Sequence, residues 1–441
     1  MELSTAPVSR QQRINSIDVL RGVAVLGILL MNIVAMGLAH WAYDDPTVVG
    51  NNAPIDYWTW AINAVLFEGK MRTIFSMLFG AGVILITARL EERGGRDTPA
   101  DIHFRRNMWM VLFGAIHAYL LLWIGDILYA YGIAGMTLFV FRRVRPRRLA
   151  ILGAIILATQ MPKMYGFSME MTNAREGLAR IEAEKTAGKP LSAEDVKKEK
   201  EWTKFLGEQR PTAEQIKKEN DARQKGYLSN IKDFGRVVFM MHTSFMYIIG
   251  FWDVVGAMLI GMALFKWEVF SAARSYKFYI WMALIGFGYG LPVGTFVVWD
   301  WTRHNFELGT RWILLYDTTR VAVALGHIAV VMMICKAGVL QFLTRPLAAV
   351  GQMALTNYIM TSVIVGIVFF GYGFGLFGQL ARHQLYYVVA GIWAFELVMS
   401  TIWLQFFQFG PLEWLWRSLT YNKRQPMRIR AEQPLPAPAM V

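Results

Sequence analysis

Helix-length apolar runs joined by short basic connections constrain this chain more than any other feature. Segments of about 20 apolar residues are long enough to cross a hydrocarbon core as α-helices. They lack the strict alternation of membrane barrel strands. The composition agrees, with 55% of the 441 residues hydrophobic and 17% charged. So apolar a chain cannot hide its hydrophobic surface by folding on itself, because surface-to-volume scaling leaves too much outside. The expected fold class is all-α, a polytopic integral membrane helical bundle whose first partner is the lipid bilayer.

Charge then orients the bundle. The formal net charge is +13, and most Lys and Arg residues sit in short loops beside apolar runs, as in cytoplasmic loops under the positive-inside rule. No compact basic reading module appears, so nucleic acid is not an expected partner. The first span is Ile17 to Leu38. Ala39 to Glu68 contains no Lys or Arg and reads as outside, with Tyr57 to Phe67 too short to cross and therefore interfacial or re-entrant. Met71 to Leu90, Met108 to Ile124, Ile127 to Phe141 and a short Leu149 to Met161 follow, with the cluster Arg142, Arg143, Arg145, Arg147 and Arg148 marking an inside end. Later spans are Val237 to Phe265, Phe278 to Val298, Trp312 to Cys335, Leu347 to Tyr372 and Tyr386 to Phe409. The topology closes at about ten spans with both termini cytoplasmic, as expected for a bacterial inner (plasma) membrane. Arg10 and Arg13 precede a run too long for a signal-peptide core, so the first helix reads as retained.

Composition divides the chain into residues 1–164, an N-terminal membrane bundle; 165–236, a polar helical extracytoplasmic insert; 237–420, a C-terminal membrane bundle; and 421–441, a cytoplasmic tail. The insert reads as exposed helices with a turn near Gly188-Lys189-Pro190 or Arg210-Pro211. Long loops cross membranes largely regardless of charge, so its lysines do not oppose an outside location. No internal repeat is visible, which argues against an inverted-repeat transporter. The single cysteine, Cys335, excludes an intrachain disulfide, and no metal-ligand cluster has diagnostic spacing.

Ionisable and amide side chains inside spans carry the functional information, because each costs roughly 2.5–3.5 kcal/mol on insertion scales and needs a partner or a watery cavity. Asp18, Arg21 and Asn32 form a polar seam on the first helix; they line a ligand path, or they pair locally and bond helices together. His117 lies mid-span, where imidazole exchanges protons near neutral pH. Asp126 is nine residues on, roughly 13 Å along an unbroken helix, so an orienting carboxylate for His117 is expected from another helix. The alternative for His117 is a bond to a backbone carbonyl. His242 and Asp253 are spaced to share a face, as are Asp317, Arg320 and His327. His40 stands outside among Trp41 and Tyr43. Gln352, Thr356, Asn357 and Thr361 make a further polar strip. Walker A, GxSxG and HExxH motifs are absent from the sequence.

Several motifs together resemble the YeiB-like bacterial membrane proteins, a family classed as a domain of unknown function. They are Ser16-Ile17-Asp18-Val19-Leu20-Arg21-Gly22 leading to Met31-Asn32; Gly69-Lys70 through Leu78-Phe79-Gly80-Ala81-Gly82; and Ile116-His117-Ala118 through Gly125-Asp126-Ile127-Leu128. Near the end come Gly351-Gln352-Met353-Ala354-Leu355-Thr356-Asn357-Tyr358 and Gly410-Pro411-Leu412-Glu413-Trp414-Leu415-Trp416-Arg417. The resemblance spans nearly the whole chain, and the polar insert departs from it. More distantly, the Asp-x-x-Arg-Gly opening and following Asn are similar to transmembrane acyltransferases of the heparan-α-glucosaminide N-acetyltransferase type.

That resemblance implies transfer of an acyl group from a cytoplasmic acyl-CoA to an envelope glycan, lipid or small polar acceptor. His117 is then the expected general base, with Asp126 beside the acceptor or a base. His40 is the nearest counterpart of the distant family's catalytic histidine. Asp18, Arg21, Asn32, Gln352 and Asn357 are the expected donor- or substrate-binding residues. The rival readings are a transporter of a polar or amphipathic solute, with proton coupling through His117 or Asp253, and a non-catalytic scaffold. A homo-oligomer is compatible with each.

Overall fold

The computed structural model describes residues 14–49, 53–93, 98–209, 211–306 and 311–429. It is helical, and among the described residues one isolated bridge, Phe407 to Arg428, is the extended pairing. Seven helical stretches are long and apolar enough to cross a membrane, or eight with one bent pair counted. The protein is a multi-pass helical membrane protein. The two further expected spans fall in α4 (Pro99–Tyr119), which carries Arg105 and Arg106, and in α5 (Leu128–Leu138). α5 and its 3₁₀ continuation to Phe141 are apolar but short.

Two expected segments are longer than their apolar cores. Tyr57 to Phe67 lies in α2 (Pro54–Leu66), which runs on into α3 (Lys70–Arg93) as one stretch of 39 residues. It is helically continuous with the span that follows. Leu149 to Met161 lies in α6 (Pro146–Ala158) and α7 (Gln160–Thr186), together a stretch of 41 residues. Gly188, with φ +68°, then reverses the chain into α8 (Ala193–Gln209); such a left-handed position favours glycine. Residue 210, the other expected turn, lies outside the described residues.

The insert is only partly free-standing. α9 (Ala213–Arg223) reaches the bundle: Gln224 donates to the Gly375 carbonyl at 2.7 Å, Gly371 N–H to the Arg223 carbonyl at 3.0 Å, and His40 pairs with Glu219 at 2.8 Å. α10 (Tyr227–Met240) leads through a π-helical segment, Met241–Gly250, into α11 (Phe251–Lys266). α12 (Tyr276–Arg303) and α13 (Tyr316–Ala337) pack as an antiparallel pair. α14 (Gln341–Gln352) and α15 (Ala354–Phe369) meet at 85°. α16 (Arg382–Phe406) and α17 (Pro411–Thr420) complete the chain.

The bundle has two chemically distinct ends. At the basic end Lys266 donates to the carbonyls of Arg142 and Val144, and Trp416 to that of Arg106. At the opposite end lie the His40–Glu219 pair and the His383–Asp56 pair at 2.8 Å. α1 (Asn15–Gly37) crosses α14 in backbone contact. A Cβ on Gly22 would stand 2.0 Å from the Leu347 carbonyl oxygen, and one on Gly351 1.8 Å from that of Asp18. Small residues at such a crossing let two helices approach where lipid gives no hydrophobic drive.

Gly351→Ala is expected to force α14 off α1 and lower stability by about 1–3 kcal/mol, read as a fall in thermal midpoint of the detergent-purified protein. A second prediction concerns α9. Burial pushes the Glu219 carboxyl up, but His40 and Arg223 outweigh it and hold the group below its ordinary value. A depressed carboxyl stabilises above its unfolded pKa and loses that contribution as pH falls through the folded one. Protease cleavage within residues 188–225 is thus expected to accelerate below about pH 4.5, and at neutral pH in His40→Ala.

Candidate active site

The site begins where α4 ends. Its last turn closes at Tyr119, and Leu122 takes φ +57°. The chain then folds back rather than continuing as a helix. Asp126 returns onto His117, and the two bond at 2.7 Å through Oδ1 and Nδ1. The expected separation of roughly 13 Å assumed an unbroken helix; the break overturns it, and the carboxylate comes from the same hairpin. The other oxygen, Oδ2, accepts the Tyr129 amide at 2.8 Å, so one carboxylate holds the start of α5 and the imidazole together. Gly114 permits this approach: a Cβ there would lie 2.2 Å from the Tyr129 nitrogen.

His117 is further engaged on its far side. Nε2 lies 2.8 Å from the Ser362 hydroxyl on α15. The His117 and Asp126 side chains are both 0% exposed, and Ser362 is buried. In the tautomer that carries its proton on Nδ1, the ring donates to the Asp126 carboxylate and offers the Nε2 lone pair to the Ser362 O–H. This is the hydrogen-bond order of a Ser-His-Asp relay.

Toward the basic end, a cavity of about 220 Å³ opens between α1, α3, α4, α5, α14, α15 and α17. Its walls are largely apolar, with Phe75, Leu78, Met110 and Leu355 among them. Arg21, Arg89, Arg106 and Arg417 face it against the carboxylates Asp18 and Glu413. Arg21 pairs with Asp18 at 2.8 Å, and Arg106 lies over the Trp416 ring at 4.0 Å. Glu413 occupies the start of α15, accepting the Leu355 and Thr356 amides at 2.6 and 3.0 Å and the Thr356 hydroxyl at 2.5 Å. A carboxylate there complements the helix dipole. Tyr358 also lines the cavity, and its ring is 4.9 Å from that of His117. On the other side, Ser362 borders a small cavity of about 20 Å³ with Leu122, Trp123, Ile124 and Phe370.

The expected site residues divide accordingly. His117 and Asp126 form the relay, while Asp18, Arg21 and Gln352 line the large cavity. Asn357 is buried against the Val350 carbonyl and Ser400, a bond between helices. Asn32 is half-buried and borders neither of these cavities. His40 is bound to Glu219 on the insert. Asp253 does not join His242: it binds Arg72 and Arg320, while His242 stacks on Tyr129 at 4.1 Å. Asp317 and Arg320 pair at 2.6 Å as their spacing suggests. Sequence reasoning missed Ser362, Arg89 and Arg106; a lone serine inside an apolar helix gives almost no signal.

These features define a helical membrane protein whose buried acid–imidazole–hydroxyl relay adjoins an arginine-rich chamber. Comparison with known proteins gives the family. The chain belongs to the YeiB-like family: the model described as "Protein of unknown function (DUF418)" matches residues 264–423, and full-length relatives extend the likeness across the chain. "Uncharacterized protein YeiB" of Escherichia coli (strain K12) is 30% identical over 93% of this chain and 97% of the relative. "Uncharacterized protein YxaH" of Bacillus subtilis (strain 168) is 29% identical over 96% and 98%. No solved structure matches.

Glu413→Ala leaves two buried amides and a hydroxyl without their acceptor, so a loss on the order of 3 kcal/mol is expected. Glu413→Gln, which keeps one carbonyl oxygen, is expected to lose less. Thermal unfolding of both variants checks the order.

Proposed function

We propose that this protein is a transmembrane acyltransferase. The arginine-rich cavity takes a phosphate-bearing acyl donor such as acyl-CoA from the cytoplasm, and His117 serves as general base in transfer to an envelope glycan, lipid or small polar acceptor. The observation that carries this reading is the buried Asp126–His117–Ser362 relay beside that cavity. The Asp126 bond to Nδ1 supports the tautomer in which Nε2 accepts a proton, which general-base catalysis requires. Arginine forks match phosphate oxygens in pairs, and the apolar walls suit an acyl chain.

Orientation follows from charge. The basic end, with Arg142, Arg143, Arg145, Arg147 and Arg148, belongs on the cytoplasmic face of a bacterial inner membrane under the positive-inside rule. Both chain termini then lie inside and the insert outside.

Purified protein given radiolabelled acetyl-CoA and a panel of glycan, lipid and amine acceptors is expected to yield labelled product. His117→Ala is expected to abolish it. Asp126→Asn, which favours the wrong tautomer, is expected to reduce the rate on the order of 10²–10⁴-fold. No product with any acceptor, together with flux of an unchanged solute through proteoliposomes, would replace this reading with transport.

A further inference from the structure

We infer that Ser362 is the nucleophile of the relay, carrying the acyl group as an ester on Oγ between a donor half-reaction and an acceptor half-reaction. The inference rests on the acyl-transfer reading and adds to it a covalent intermediate. Two observations carry it.

The first is what Ser362 gives up. A hydroxyl inside a helix ordinarily bonds the carbonyl four residues back, and Thr73, Thr87, Thr361 and Thr401 all do so here. Ser362 is hydrogen-bonded to His117 Nε2 instead. In the tautomer with Nδ1–H on Asp126, Nε2 is the acceptor, and the proton within its reach is that of Ser362.

The second is position. Tyr358 and Ser362 are one turn apart on α15, roughly 6 Å along its axis. Tyr358 borders the large arginine-lined cavity, and Ser362 borders the small one on the far side. A donor held by its phosphates lies in the large cavity, whereas the small one, about 20 Å³, has room only for a water-sized end of an acceptor such as its reacting hydroxyl. Direct transfer needs both in one chamber; a serine at the partition serves each in turn.

The steps balance. In the first, Ser362 Oγ bonds the acyl carbon while His117 Nε2 takes the hydroxyl proton. The carbon–sulfur bond of the thioester then breaks, and that proton passes to the departing sulfur. In the second, the acceptor oxygen bonds the acyl carbon as Nε2 takes its proton. The Oγ–carbon bond breaks, and the proton returns to Oγ.

The test uses the full-length protein in lipid nanodiscs with two probes, an alkyl fluorophosphonate and radiolabelled acetyl-CoA without acceptor, followed by peptide mapping. A fluorophosphonate adduct on Ser362, an acetyl label on the same peptide discharged by acceptor, and loss of both in His117→Ala are the expected results. A Ser362 adduct without any acetyl transfer would retain the activated serine and remove acetyl-CoA as donor. Acetyl transfer that persists in Ser362→Ala, with no adduct in the wild type, would overturn the nucleophile and leave the acyltransferase reading standing. Absence of both adduct and transfer would overturn both.

Discussion

Arg320 meets Asp253, Asp317 and Thr73 in the interior of the bundle, and Asp253 in turn holds Arg72. Arg320 is 1% exposed, in a setting where an unpaired guanidinium would be prohibitive. The two arginines and two aspartates come from α3, α11 and α13, so their mutual neutralisation fixes three helices in one register. The consequence reaches the site. Tyr131 donates to the Arg72 carbonyl at 3.3 Å and lies 2.5 Å from the Ser76 hydroxyl, and the same tyrosine forms a wall of the large cavity. α5, which carries Tyr131, starts at the amide held by Asp126. Charge pairing in the bundle and the geometry of the relay are thus two ends of one chain of contacts.

The break between α14 and α15 has a comparable role. An 85° bend frees backbone amides that hydrocarbon cannot satisfy, and irregular backbone at membrane depth is tolerated where protein or a cavity receives it. Glu413 supplies the missing acceptors from α17. The broken helix opens space at the basic end, and its second half presents Tyr358 and Ser362 in succession. The close crossing of Gly22 and Gly351 sets where that space lies relative to Asp18 and Arg21.

The helical membrane class was legible because it depends on run length and charge, both local properties. So were the Asp18–Arg21 and Asp317–Arg320 pairs, three residues apart on one helix face. The relay was legible only as two unconnected residues. Helical arithmetic separated His117 from Asp126 until the turn through Leu122 and Gly125 was known, although Gly125 was a signal for that turn. Ser362 had no comparable mark, since a small hydroxyl disturbs neither hydropathy nor periodicity. Arg89 and Arg106 look like ordinary inside-loop charges, and only the packing of α3, α4 and α17 turns them toward one cavity. His40 stood out for its aromatic neighbours, but its partner is on the insert, whose docking no local pattern announces.

A reaction that joins a substrate from one side of a membrane to one from the other must keep the membrane closed to ions. An open path large enough for both substrates would conduct. The structure offers a different arrangement: two cavities that end on the same helix, with the Tyr358 ring packed edge-on against His117 between them. The Tyr358 hydroxyl accepts the Ile127 amide at 3.3 Å, tying the partition to the loop that brings Asp126 home. His117, fully buried at that partition, lines neither cavity directly. On the acyl-transfer reading, that burial belongs to the mechanism: it keeps the basic nitrogen from bulk water, and it lets chemistry cross where bulk solvent does not.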